Sequence, residues 1–192
     1  MVDEADVRII EKLIDDPRES IRTLAKMCRL GRQKLYSRQK KLEDTATIWG
    51  YTTVINPLKF GGRLYIVLGK LKELTKETAK KLEYLHKRMN WKELGIRIIG
   101  VYYLMGEYDW MLVYEANNLE SAKKSHDFIK QNYEGIFSEE IKMLEVILPL
   151  VHQGKINPKD GELEKLAAPA IEQRSSLLEE KKLVAKFPFG KR

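Results

Sequence analysis

The chain has 192 residues, with 35 lysines and arginines against 28 aspartates and glutamates, and a formal charge of +7. This length suits one domain or two small ones, and a hydrophobic content of 43% argues against disorder throughout. The longest uninterrupted apolar run, 98–105, is far shorter than the roughly 20 residues of a membrane span. The acidic start predicts no secretory signal, and a single cysteine excludes an internal disulfide. We therefore expect a cytoplasmic protein without a membrane segment.

The basic side chains are concentrated in one segment. Residues 1–19 carry three basic and seven acidic side chains, whereas residues 20–42 carry eight basic side chains and no acidic one. The eight are Arg22, Lys26, Arg29, Arg32, Lys34, Arg38, Lys40 and Lys41. A positive field that arises from one short segment is typical of a surface that binds phosphate groups.

Residues 1–48 have the pattern of three short helices. Apolar side chains recur at helical spacing after Asp3, Pro17 ends that pattern, and Ser20 suits the cap of a second helix. A turn at 29–31 precedes a third helix, predicted over 32–44. This order predicts a helix-turn-helix DNA-binding domain whose third helix reads the duplex.

A helical wheel divides the third predicted helix into two sides. At about 100° per residue, Leu35, Gln39 and Leu42 share the side that packs, and cationic and hydrogen-bonding side chains gather opposite, with Arg38 on a flank. We predict that the lysines and Arg38 neutralise phosphates, while Gln33 and Ser37 touch base edges. The predicted DNA-binding residues are Arg22, Arg32, Gln33, Lys34, Ser37, Arg38, Lys40 and Lys41. The alternative, a solvated surface helix, fits less well with a long segment that contains no acidic residue.

The remainder of the chain predicts a second domain of mixed helix and strand. β-Branched and aromatic residues over 47–56 predict a linking strand, and residues 60–62 predict a joint, so that strand and hinge occupy 49–62. Residues 63–156 then follow the order βαββαβ, which is the ferredoxin-like unit, an antiparallel sheet with two helices on one side. Its strands are predicted over 63–72, 96–105, 109–115 and 141–150, and its helices over 76–90 and 119–133. The fold class is therefore α+β.

One face of the predicted sheet needs cover. The apolar strand residues cannot all lie on the side that the helices occupy, and a second copy of the chain is the economical cover. The residues concerned are Ile66, Leu68, Ile98, Leu112 and Leu144. Residues 157–192 form a helical extension, predicted as a linker and two helical segments that are interrupted by Pro169, the second over 170–186. The sequence assigns this extension no function.

The order and spacing of these features resemble the Lrp/AsnC family of transcription regulators. The resemblance covers about residues 3–157 and rests on residues 3–10, 24–26, 35, 38, 42–43, 50–52 and 56–57. The turn at 105–109 is similar to that family's Gly-x-x-Asp effector loop. The chain departs from the family pattern at residues 29–31, which replace Gly-Leu-Ser, at Gln39, which replaces a branched apolar residue, and at Ala46, which replaces a glycine.

The resemblance implies a homodimer, commonly assembled into tetramers or octamers, and an amino acid or related small molecule as effector. Carried onto this chain, it implies that Gly106 lets the backbone approach a ligand and that Asp109 pairs with an α-ammonium group. The implied effector-binding residues are Tyr102, Gly106, Glu107, Tyr108 and Asp109. The residues alone leave a plain turn open, in which Gly106 supplies a positive φ angle and Asp109 begins a strand.

The leading functional prediction is a sequence-preferring transcriptional regulator that binds double-stranded DNA. One alternative is an architectural protein that bends or wraps DNA without sequence preference. Another is an enzyme similar to sirohaem decarboxylases, which need histidines and arginines along a cavity that the strand at 98–103 does not provide. The sequence has no phosphate loop, nucleophile elbow or paired acid and base, and no metal-ligand spacing at His86 or His152. We therefore expect no enzyme, cofactor or metal.

Overall fold

A computed structural model describes residues 2–167 of the chain. It divides into two compact units, the first ending at Thr53 and the second beginning at Val54. Residues 60–62, which the sequence predicts as a joint, fall within the second unit. There Pro57 is buried and its carbonyl accepts the Gly62 N–H at 3.0 Å. No helix within 2–167 is both long and apolar enough to cross a membrane.

The first unit is a three-helix domain, as the sequence predicted. Its helices are α1 (Glu4–Asp15), α2 (Ile21–Met27) and α3 (Arg32–Asp44). The Asp3 carboxylate caps α1 by accepting two backbone N–H groups, and the Ser20 hydroxyl caps α2 by accepting the Thr23 N–H at 3.1 Å. Apolar side chains from all three helices form the core: Ile9, Leu13, Leu24, Ala25, Cys28, Leu35 and Leu42.

Residues 47–56 do not form a strand, so the prediction of a linking strand at this position is wrong. The chain leaves α3 through a left-handed turn at Ala46, where φ is 53°. Beyond it, the residues have no ladder partner among those that the structure describes. β-Branched and aromatic composition favours a strand, but a strand also requires backbone hydrogen bonds to a neighbour.

The second unit has the predicted βαββαβ order and a four-stranded antiparallel sheet. Its elements are β1 (Arg63–Gly69), α4 (Lys76–Arg88), β2 (Ile96–Tyr103), β3 (Trp110–Ala116), α5 (Leu119–Asn132) and β4 (Lys142–Val146). The strand order is β2-β3-β1-β4, which confirms the ferredoxin-like arrangement. A short hairpin follows, formed by β5 (Val151–His152) and β6 (Lys155–Ile156), and then α6 (Glu162–Ala167). Pro169 and the helical segment predicted over 170–186 lie outside the described residues.

The two faces of the sheet differ in cover. Alternate residues of β1 and β3, Leu112 among them, pack beneath α4 and α5 in one buried cluster. The partly buried Ile98 of β2 packs against this cluster. On the opposite face, Ile66 and Leu68 are half-buried and Leu144 is 50% exposed. These three apolar side chains therefore remain partly exposed to solvent, as predicted for one face of the sheet. Ile98 and Leu112, in contrast, lie on the face that the helices cover.

A histidine lies within the aromatic part of this core. The His86 ring stacks on Trp110 with centroids 5.9 Å apart, and the Trp110 indole N–H donates to its Nε2 at 3.4 Å. The Tyr133 hydroxyl lies 3.4 Å from Nδ1. Burial lowers the pKa of His86 to about 4, from an ordinary value of 6.5.

We expect the second unit to lose stability as the pH falls from 6.5 to about 4, and a His86→Phe variant to lack this part of the loss. In that range the unfolded chain binds a proton at His86 that the folded chain does not, so the free energy of unfolding decreases as the pH falls. Denaturant titrations at pH 7 and pH 5, followed by the emission of the buried tryptophans, measure the difference. An equal pH dependence in both proteins would contradict the assignment.

Candidate nucleic-acid interface and effector loop

The turn between α2 and α3 fixes where the third helix begins. Arg29 closes α2 in a left-handed conformation, with φ of 55°, and the Leu30 N–H donates to the Ala25 carbonyl at 2.9 Å. Gly31 caps α3 through its extended backbone, and its carbonyl accepts the Leu35 N–H at 2.9 Å. The turn therefore forms without the serine cap of the family pattern.

The third helix has one buried side and one exposed side. Leu35 and Leu42 are 0% and 4% exposed and pack against α1 and α2. Seven of the eight predicted DNA-binding residues are exposed: Arg22, Arg32, Gln33, Lys34, Ser37, Lys40 and Lys41. Among residues 2–167, none of their charged groups forms an ion pair. Such a surface presents uncompensated positive charge and hydrogen-bonding groups to a polyanion.

Arg38 is the one predicted DNA-binding residue outside this exposed set, because it is half-buried and paired within its own chain. Its Nη1 donates to Asp3 at 2.7 and 2.8 Å and to Asp6 at 2.7 Å. Asp6 is 5% exposed, so its carboxylate is nearly withdrawn from water. The guanidinium is thus bound to carboxylates of its own chain and joins α3 to the start of α1.

This contact favours the ionised forms of Asp3 and Arg38. The Asp6 backbone N–H and the Arg38 side chain hold the pKa of Asp3 below its ordinary value of 3.8. The hydrogen bonds to Asp3 and Asp6 raise the pKa of Arg38. Arg38 therefore positions the third helix against α1, and its contact with a phosphate stays a prediction.

A second contact ties the segment after α3 to the flank of that helix. The Gln39 amide donates to the Tyr51 hydroxyl at 2.9 Å, and this hydroxyl donates to the Glu43 carboxylate at 2.8 Å. Burial, followed by the bond to Glu43, raises the pKa of Tyr51. Gln39 is half-buried, as its place on the packing side predicted, and it engages Tyr51 with its polar end. The sequence analysis assigned no contact to the Tyr51 side chain and no role to the exposed aromatic residues Tyr36 and Trp49, although basic segments interleaved with aromatic residues are a known signal of nucleic-acid binding.

The candidate effector loop joins β2 to β3 and is held by backbone contacts. The Leu104 N–H donates to the Asp109 carbonyl at 2.8 Å, and the Asp109 N–H donates to the Gly69 carbonyl at 3.1 Å. The Asp109 Oδ2 accepts the Leu71 N–H at 2.9 Å, while Oδ1 makes no hydrogen bond to another described residue. Asp109 therefore helps to fix the loop through its backbone and one of its two carboxylate oxygens.

The conformation of Gly106 bears on the alternative of a plain turn. Its φ lies outside the left-handed region, and a Cβ placed on it would meet no atom of the described chain within 4 Å. Neither the turn nor packing thus requires a glycine here, which disagrees with the expectation of a positive φ. Glu107 is exposed, Tyr108 is half-buried, and Tyr102 is 47% exposed with its ring folded over Gly100. The part of the chain from 2 to 167 contains no group of three metal-ligating side chains that could hold an ion.

Comparison with known proteins relates the sequence to DNA-binding regulators. The chain is similar to an uncharacterized HTH-type transcriptional regulator of Pyrococcus abyssi, with 32% identity over 124 residues. The matched region covers 65% of this chain and 79% of that protein. No family model matches the chain.

Solved structures share the fold. Bacillus subtilis LrpC has a TM-score of 0.54 and 25% identity, and the match covers 83% of this chain and 99% of LrpC. A feast or famine regulatory protein of Mycobacterium tuberculosis, complexed with L-methionine, has a TM-score of 0.61 and 17% identity, with coverage of 82% and 100%. At 17% identity the likeness to the second structure concerns the fold alone.

Proposed function

This chain belongs to the Lrp/AsnC family of transcriptional regulators, and from that membership we propose that it binds preferred sequences of double-stranded DNA under the control of an amino acid or related small molecule. It is a regulator and not an enzyme, as the names of its relatives indicate and as the sequence predicted. A cytoplasmic location accords with this function.

The observation that carries the DNA-binding part is the division of α3 into a buried and an exposed side. Leu35 and Leu42 fix one side in the core, so the side chains opposite them are presented to solvent together. We propose that Lys34, Lys40 and Lys41, with Arg22 and Arg32, bind phosphates, and that Gln33 and Ser37 touch base edges.

We further propose that the protein acts as a homodimer. The half-exposed apolar side chains on the second face of the sheet support this, because a second copy would cover them. A dimer presents two reading helices to successive major grooves about 34 Å apart, which requires a pseudopalindromic site. Tetramers or octamers would follow if further surfaces of the second unit associate.

Replacing both Lys40 and Lys41 with alanine should weaken binding to every duplex and flatten its salt dependence. Loss of two phosphate contacts lowers the slope of log K against log salt by about 1.8, and affinity near 0.1 M salt falls roughly 10- to 100-fold. Fluorescence anisotropy of a labelled duplex between 50 and 300 mM salt measures both quantities.

The matched control removes two adjacent exposed lysines from α4, as Lys80→Ala with Lys81→Ala. It changes the net charge equally and should leave the slope as it is. If the slope of log K against log salt is unchanged in the Lys40 and Lys41 variant, the assignment of α3 as the DNA-binding helix is contradicted. Equal affinity for a selected site and for random duplex would instead favour the architectural alternative.

The effector part of the proposal rests on Asp109. An asparagine there keeps a carbonyl oxygen for the Leu71 N–H, so the loop persists, but the charge that would pair with an α-ammonium group is lost. A bound amino acid at 100 times its Kd stabilises the native protein by about 2.7 kcal/mol, which a thermal-shift screen of the common amino acids detects. We expect Asp109→Asn to abolish that shift and Asp127→Asn, an exposed acid on α5, to retain it. No response of the unaltered protein to any amino acid would end the effector proposal.

A further inference from the structure

Trp49 is the most exposed of the three tryptophans in the chain. Its side chain is 95% exposed, whereas Trp91 and Trp110 are 6% and 0% exposed in the core of the second unit. An indole is the largest apolar side chain, and its burial in a complex contributes substantially to binding. A tryptophan that folding leaves almost wholly in water therefore points to a contact with another molecule.

The backbone on both sides of Trp49 is anchored to the first unit. Before it, the N–H groups of Thr47 and Ile48 donate to the Leu42 carbonyl at 2.9 and 3.0 Å, and the Ile48 side chain packs against the core. After it, the Tyr51 hydroxyl is bonded to Gln39 and Glu43 on the flank of α3. The backbone that carries the indole is thus fixed beside the end of α3, so binding has to order only the side-chain torsions of Trp49.

The surroundings of Trp49 favour DNA over a second copy of the chain. Thr45 and Thr47 are exposed and share a hydroxyl contact of 3.1 Å, and the last turns of α3 carry four exposed charged side chains, Lys40, Lys41, Glu43 and Asp44. The carboxylate of Glu43 is bonded to the Tyr51 hydroxyl at 2.8 Å. A protein interface needs a contiguous apolar centre that is poor in charge, which this neighbourhood does not offer. A duplex supplies sugars for the apolar face of an indole and phosphate oxygens for its N–H.

We propose that Trp49 is a DNA contact outside the recognition helix, which lays its indole on the sugar-phosphate backbone beside the groove that α3 enters. This inference rests on the proposed DNA-binding function. It assigns the segment from Thr45 to Tyr51 the task of presenting one aromatic side chain to the duplex.

Acrylamide quenching of tryptophan emission tests the contact directly, because only Trp49 is open to the quencher in the first unit. We expect a saturating duplex to lower the quenching of the full chain to that of the Trp49→Phe protein, in which only buried indoles remain. Trp49→Ala should weaken duplex binding roughly 10-fold, as expected for an aromatic side chain that is no longer buried, with an unchanged salt slope because no charge is lost. Tyr84→Ala, which removes a 62% exposed tyrosine from α4, is the control and should leave affinity unchanged.

The outcomes separate this inference from the function on which it depends. If anisotropy shows duplex binding while acrylamide still reaches Trp49 fully, the contact is refuted and the DNA-binding function stands. If quenching falls with rising protein concentration in the absence of DNA, Trp49 is covered by a second copy and the inference is overturned. If the protein binds no duplex in a salt-dependent manner, the proposed DNA-binding function is itself refuted, and the inference about Trp49 with it.

Discussion

Replacing Leu35 with alanine should unfold the first unit while the second unit stays folded. Leu35 is 0% exposed and lies at the centre of a cluster that draws on all three helices. A buried leucine truncated to alanine costs about 2–5 kcal/mol, because the transfer free energy is lost and a cavity remains. A unit of this size has a total stability of roughly 3–8 kcal/mol, so the loss removes much or all of it.

The measurement separates the two units through their different spectroscopic signals. Helical circular dichroism should decrease and duplex binding should disappear, while Trp91 and Trp110 remain shielded from acrylamide as in the unaltered protein. The adjacent Tyr36→Ala substitution is the control, since Tyr36 is 61% exposed and its loss should alter stability by at most about 0.5 kcal/mol. Simultaneous exposure of the buried tryptophans in Leu35→Ala would show that the units do not fold separately.

The features that the sequence predicted well are those with local causes. Ser20 and Pro17 mark helix ends through hydrogen bonds and ring geometry that involve only neighbouring residues, and α3 begins and ends at the predicted Arg32 and Asp44. The βαββαβ order follows from hydrophobic periodicity, which also depends only on residues that are close together in the sequence.

The features that it missed depend on contacts between residues far apart in the chain. Arg38 looked like a phosphate ligand because its helix is basic, yet its partners Asp3 and Asp6 lie 35 and 32 residues away. The stretch over 47–56 has strand composition, but a ladder partner decides whether a strand forms. The same holds for Tyr51, whose hydroxyl finds Gln39 and Glu43 only after the chain turns back at Ala46.

Removing the Arg97 guanidinium should destabilise the second unit strongly, because it leaves a buried carboxylate without its cation. Arg97 and Glu115 are directly opposite each other on β2 and β3. The Arg97 Nε donates to Glu115 Oε2 at 2.9 Å, and the Arg97 Nη2 lies 2.8 Å from the same oxygen in an ion pair. The Glu115 side chain is 0% exposed, and the His152 Nε2 lies 3.4 Å from its other oxygen. Loss of one partner of such a pair costs about 3–5 kcal/mol, mainly the desolvation of the charge left behind.

The double variant is the decisive comparison. Arg97→Met alone should lower the free energy of unfolding by about 3 kcal/mol or more, whereas Arg97→Met with Glu115→Leu should recover most of the loss, because apolar side chains of similar volume need no counterion. Denaturant titration followed by the buried tryptophans gives both values. Equal losses in the single and double variants would mean that packing, not the unpaired charge, is responsible. Recovery in the double variant would show that the pair adds little net stability. We would then infer that it fixes the register of β2 on β3, since a one-residue slip would leave the carboxylate buried and alone.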